Sequence, residues 1–223
     1  MKFEDVFNLI IPDCFGCNDD NDETASMEEV YSQLDETVST SYGVSQFVII
    51  FDDNNDKVVK IPFSGEWSYN EEDEDYYFDD FSINYTDLSV EIYNRAEEAG
   101  ISPIFAKVEY IGDSKNGYPL YAQDKVKFSF GSIAYKEEKP YKLPLEETLT
   151  IVRNCYKTDF YSYAWRAFTE TWTACAIEYY GFDLVDRFMK FLDDNGIDDL
   201  HQNNYGFTAE GRPVIYDYCG FDY

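Results

Sequence analysis

DDLHQNNYGFTAEGRPVIYDYCGF, residues 198–221, is the stretch on which the reading of this chain turns. Asp199 is followed five positions on by Asn204, and a two-stranded pattern then runs to a second acid, Asp217. The segment reads as a loop entering a β-hairpin. Asp and Asn are ordinary material for caps and turns. The same residues could instead belong to a site that uses their oxygen atoms, and the remainder of the chain has to separate the two.

The chain has 223 residues, enough for a sizeable core and one or two small lobes. Apolar residues make up 44%, which argues against wholesale disorder, and Tyr and Phe are abundant at 21 and 18. With 17 basic and 45 acidic residues the net charge is −28. Such a field repels nucleic-acid phosphates and anionic membranes and suits a soluble protein or one that meets a basic protein partner. No apolar run is long enough to span a membrane. The opening MKFEDVFNLIIPDCFGC is too acidic and too short in apolar length for a signal peptide, so a cytoplasmic location is expected. Five scattered cysteines fit reduced thiols. Cys14 and Cys17 form a lone CxxC that lacks the second pair a zinc site would use.

Working outward from the hairpin, the local patterns fall into order. Residues 183–195 form a helix with a stripe of Leu184, Val185, Phe188, Phe191 and Leu192, ended by Gly196. Residues 160–180 form a long aromatic helix broken by Gly181, with Trp165 and Trp172 as core candidates, and 145–157 read as helical. FAKVEYIG and YPLYAQDKVKF alternate as two strands joined by the turn DSKNG. TDLSVEIYNRAEEA, 86–99, is a helix closed by Gly100. Residues 37–63 read as a strand, a turn at DDNND and a second strand, VVKIPF. EEDEDYYFDD reads as a solvated acidic loop. Residues 1–36 read as an N-terminal extension whose short helix, 26–36, has Ser26 as N-cap and Glu29 completing a capping box. A β-rich half therefore precedes an α-rich half, which is an α+β organisation.

Asp199-Leu-His-Gln-Asn-Asn204 resembles the D-L-H-x-x-N catalytic loop of aminoglycoside-phosphotransferase-like small-molecule kinases, within the protein-kinase-like superfamily. YGFTAEGRPVIYDY resembles the hairpin leading into their metal-binding D-F-G segment, with Asp217 as its Asp and Tyr218 in the Phe place. The resemblance covers roughly residues 37–223 and implies a two-lobed kinase-like fold: an N-terminal extension over 1–36, a β-rich N-lobe over 37–126 and a reduced helical C-lobe over 127–223. Lys60 in VVKIP then takes the place of the phosphate-pairing lysine, Glu91 that of the helix acid holding it, and YAQDKV, 121–126, that of the interlobe hinge.

The implied chemistry is phosphoryl transfer from ATP with Mg2+ as cofactor. Lys60 would neutralise phosphates and Glu91 orient Lys60. Asn204 and Asp217 would supply oxygen ligands to magnesium, and Asp199 would accept a hydroxyl proton or orient the acceptor. The sequence departs from the pattern in four places. STSYGVSQF holds one glycine, Gly43, where a glycine-rich loop is expected. Ile197 and Cys219 stand where the family has His and Gly, and the sequence runs only six residues beyond Asp217. Three functions follow: a compact ATP- and Mg-binding kinase-like protein, a pseudokinase-like protein-binding module, or an acidic, nucleic-acid-mimicking inhibitor of a basic protein, of a kind a phage could encode.

Overall fold

In QFVIIF every second residue, Phe47, Ile49 and Phe51, is fully buried, the period of a strand with one face on a core. This strand belongs to a five-stranded antiparallel sheet of a chain that is mixed α+β. The computed structural model describes residues 1–13, 15–16, 23–42, 45–51, 56–64, 66–70, 75–79, 81–126, 128–129, 163–197, 204–208 and 210–218. The chain divides into two compact units, Met1–Glu91 with Val108–Asp124, and Ile92–Lys107 with Lys125–Tyr223.

The first unit contains β1 (Val38–Tyr42), β2 (Gln46–Phe51), β3 (Lys57–Pro62), β4 (Glu66–Asn70), β5 (Asp75–Asp79), β6 (Val108–Asp113) and β7 (Pro119–Asp124). Its main sheet has the order β1-β2-β3-β7-β6. The expected single strand ahead of the DDNND turn is in fact two, β1 and β2, paired antiparallel. β1 is a largely exposed edge strand, VSTSY, so it carries no hydrophobic alternation to announce it. The second strand of the expected hairpin is β3, and the DSKNG turn joins β6 to β7, its Ser114 N–H bonded to the Tyr118 carbonyl at 2.8 Å.

The first 36 residues contribute directly to this unit. Val6, Leu9, Ile11, Phe15, Met27 and Val30 pack with Phe47, Ile49, Phe51, Val59, Ile61, Phe63 and Leu120 in one buried cluster. Side-chain amides tie the segment down. The Asn116 amide donates to the Ile11 carbonyl at 2.7 Å, and its oxygen accepts the Ile11 N–H at 3.1 Å. Gln33 treats Ile10 in the same way, at 2.8 Å in each direction. The helix here, α1 (Glu23–Tyr31), begins earlier than 26. Ser26 lies inside it and accepts the Gly16 N–H at 3.1 Å, so the capping-box reading does not hold.

The acidic run 71–80 is also corrected. Its residues 75–79 are β5, paired with β4 in a separate two-stranded ribbon whose register sets Trp67 opposite Phe78 and Tyr69 opposite Tyr76. Aromatic residues are strong strand formers, and they alternate through both segments despite the neighbouring acids. Helix α2 (Phe81–Glu98) starts before the expected Thr86 and closes as expected at Gly100. The Ile101 N–H bonds back to the Ala96 carbonyl at 2.9 Å, around a Gly100 with φ of 66°. Residues of α2 up to Glu91 are counted with the first unit and those from Ile92 with the second.

The second unit holds β8 (Phe128–Ser129), α3 (Tyr163–Tyr180), α4 (Phe182–Asp194), β9 (Tyr205–Phe207) and β10 (Pro213–Ile215). β9 and β10 are the expected hairpin, extended by β8 into a sheet of order β10-β9-β8. Phe105 adds a parallel bridge to Ile215. Trp172 of α3 packs against Phe188 of α4 and, with ring centroids 4.6 Å apart, against Tyr205. Within the expected stripe of α4, Val185, Phe188 and Leu192 are buried and Leu184 and Phe191 half-buried, while Met189 joins the buried set. The expected helix over 145–157 lies outside the described residues. No helix among the described residues is long and apolar enough to cross a membrane.

Candidate functional site

Lys60 occupies β3, the middle strand of the five, and is only 6% exposed. Strand alternation explains its setting. Val59 and Ile61 point into the cluster built with the N-terminal segment, so Lys60 lies on the opposite face of the sheet. Its direct partners across the ladder are Val48 on β2 and Tyr121 on β7. Tyr121 is in turn paired with Tyr110 on β6, giving a row Lys60, Tyr121, Tyr110 across three neighbouring strands. A charged ammonium held out of water is costly, so a buried lysine on a central strand calls for anionic company.

Carboxylates meet this row. The Tyr121 hydroxyl donates to Asp87 of α2. Burial first, and then this hydrogen bond to Asp87, push the Tyr121 phenol above its ordinary value, so it remains a proton donor at any physiological pH. Tyr110, whose ring meets that of Tyr121 edge-on at 5.7 Å, donates to Asp113 at 2.7 Å, and that bond raises its phenol as well. Glu91 lies one turn beyond Asp87 on the same side of α2 and is exposed. Lys60 and Glu91 thus belong to the same unit, on the third strand of its sheet and on the helix that follows the ribbon.

In the second unit the hairpin brings its two ends together. The Tyr216 N–H donates to the Asn204 carbonyl at 2.9 Å, which places Asn204 across from the residue preceding Asp217. Asn204 is buried and Asp217 half-buried. Burial and the nearby Asp217 charge push the Tyr216 phenol up to about 12. Tyr218 is buried, donates to the Ala106 carbonyl at 3.0 Å and packs edge-on against Phe105, so the backbone on the far side of Asp217 is anchored as well. An amide and a carboxylate oxygen at the open end of one hairpin are ligands of the kind a hard cation such as Mg2+ takes, the rest of its shell being water. Among the described residues there is no cluster of three or more His, Cys, Asp and Glu side chains that could hold a metal ion.

Asp199, His201, Cys219, Cys14 and Cys17 lie outside the described residues. Of the expected hinge 121–126, Tyr121 through Asp124 form the end of β7, and the chain passes into the second unit after Asp124. Two residues at the Lys60 face were not singled out from the sequence, Asp87 and Tyr121. Asp87 stands one helical turn before Glu91, which was a usable signal. The place of Tyr121 beside Lys60 depends on a register that no local pattern announces. No protein-family model matches this chain, and no curated protein matches it in sequence.

Proposed function

We propose that the protein is a compact two-lobed kinase-like protein that binds ATP with magnesium. The observation that carries the reading is the buried Lys60 on the middle strand of a five-stranded antiparallel sheet, with the carboxylate-bearing face of α2 joined to the same row. A lysine ammonium fixed on a central strand is a charge-assisted donor of the kind that binds nucleotide phosphates. Asn204 and Asp217, joined through the base of one hairpin, are the residues that would hold the metal. The metal would neutralise phosphate charge, which a protein of net charge −28 needs in order to accept ATP at all. Asp199 would orient a hydroxyl acceptor. The deciding experiment is calorimetric titration of the protein with ATP and Mg2+, beside Lys60→Met and Asp217→Ala. Saturable, magnesium-dependent heat that weakens at least about tenfold in each variant is expected, since a charge-assisted contact is worth about 1.5–3 kcal/mol. Absence of heat at millimolar ATP would remove the nucleotide reading.

A second reading, an acidic module that occupies a basic protein, is favoured by the acidic run Glu71 to Asp75 in the sequence and by the net charge of −28. Neutralising those acids to their amides would abolish such an interaction and leave nucleotide binding unchanged.

A further inference from the structure

We infer that the hydrogen bond from Tyr121 to Asp87 seats α2 on the sheet face that carries Lys60, making both positioning residues for the lysine. The inference rests on the nucleotide-binding reading above for its functional part. Tyr121 and Lys60 are direct ladder partners, so both side chains leave the same face of the sheet. Their neighbouring strands are about 4.8 Å apart, so the phenol stem runs alongside the lysine stem. Tyr121 is 1% exposed, and the edge-on ring of Tyr110 braces its other side. The direction of its hydroxyl is therefore set by packing before α2 is considered. Asp87 is exposed on α2 and reaches inward to accept that hydroxyl. The bond is charge-assisted and ends on a rigid donor, which makes it a strong fixed point between helix and sheet.

Helical geometry carries the consequence to the site. Asp87 and Glu91 are neighbours one turn apart on one face of α2. Whatever fixes Asp87 to Tyr121 also fixes the height and rotation of Glu91 relative to the strand pair β3–β7. Among the described residues, the row joins Lys60, Tyr121, Tyr110 and Asp113 from the sheet to Asp87 of α2, and Glu91 follows Asp87 by one turn. Asp87 ties helix to sheet through a buried donor.

The test uses the full chain and the variants Tyr121→Phe, Asp87→Ala and Asp87→Asn. Asparagine keeps an acceptor oxygen at the same place, so it should restore what alanine removes. Two readouts are followed: amide hydrogen exchange along α2 without any ligand, and affinity for ATP with Mg2+. Exchange along α2 is expected to quicken about tenfold in Tyr121→Phe and Asp87→Ala and to stay within about threefold of wild type in Asp87→Asn, the range a charge-assisted hydrogen bond sets. Affinity should fall in the same order. Should Tyr121→Phe fail to fold, the Asp87 pair decides alone, because that side chain is exposed. Unchanged α2 exchange in Asp87→Ala would overturn the inference. Altered exchange with unchanged nucleotide affinity would overturn its link to Lys60. If wild type binds no nucleotide while exchange responds as expected, the functional reading falls and the seating of α2 stands.

Discussion

Replacing Gly16 by Ala should be among the most damaging single-methyl additions in the first unit. Gly16 has φ of +71°, and a Cβ built on it would meet the Phe63 ring at 2.0, 2.3 and 2.7 Å. Two costs combine. An L-residue in the left-handed region loses about 1–2 kcal/mol. Phe63 is itself buried and edge-packed on Phe15 at 5.4 Å, so it cannot swing away without disturbing the cluster that backs β2 and β3. Overpacking of that kind costs about 1–3 kcal/mol. The total is about 2–5 kcal/mol, a large share of the stability of an ordinary domain. Gly117 supplies the control. Its φ is +86°, yet nothing lies within 4 Å of a Cβ built there, so Gly117→Ala should show the backbone cost alone. Urea denaturation followed by tryptophan and far-ultraviolet signals would give both values from the shift in midpoint. Equal losses for the two variants would refute the argument, because they would mean the Phe63 contact carries no energy and the N-terminal segment is only loosely laid on the sheet.

Asn116→Ala removes both hydrogen bonds to the backbone of Ile11 and should cost about 1–3 kcal/mol in the same denaturation assay, with Asn116→Asp recovering less than half because it cannot donate to the carbonyl. The Tyr216 phenol is pushed from an ordinary value near 10 up to about 12 by burial and by Asp217. The folded state therefore holds that proton more tightly than the unfolded chain. The contribution is full below pH of about 10 and lost as pH rises through about 12, so Tyr216→Phe should flatten the fall of stability in that window. Burial pushes the Cys175 thiol up to about 12, so it should stay unmodified by thiol reagents at neutral pH in the folded protein, as peptide mapping by mass spectrometry would show. Asp194→Ala breaks the exposed pair with Lys190 on α4 and should leave the urea midpoint unchanged, because solvent screens the pair.

Much of the local structure was legible in the sequence, and for a common reason: each legible feature is set by a few adjacent residues. DSKNG turns because Asn and Gly there accept turn conformations. Gly100, Gly181 and Gly196 end or separate helices because each adopts a positive φ where other residues are strained. The hairpin at 205–215 follows from two short apolar strands around Gly211, and α4 shows its stripe because Val185, Phe188 and Leu192 recur at helical spacing. Acidic composition misled where it was weighed above aromatic alternation, in the ribbon of Trp67, Tyr69, Tyr76 and Phe78.

The sequence by itself determined that Lys60 sits on a strand, Asp87 and Glu91 on a helix, and Asn204 and Asp217 at the base of a hairpin. Tertiary structure alone decided their company. That Val6, Leu9 and Phe15 form the back of the sheet, that β1 is a strand of its own, and that Tyr121 stands beside Lys60 and holds Asp87 all depend on pairings between distant segments. A strand alternates faces with a period of two, so a slip of one residue in the β3–β7 ladder would carry Tyr121 to the other face and leave Asp87 without its anchor. No window of neighbouring residues encodes that register. It is selected by the burial of Val59, Ile61 and Leu120 against the N-terminal segment, which turns Lys60 and Tyr121 together to the face they share.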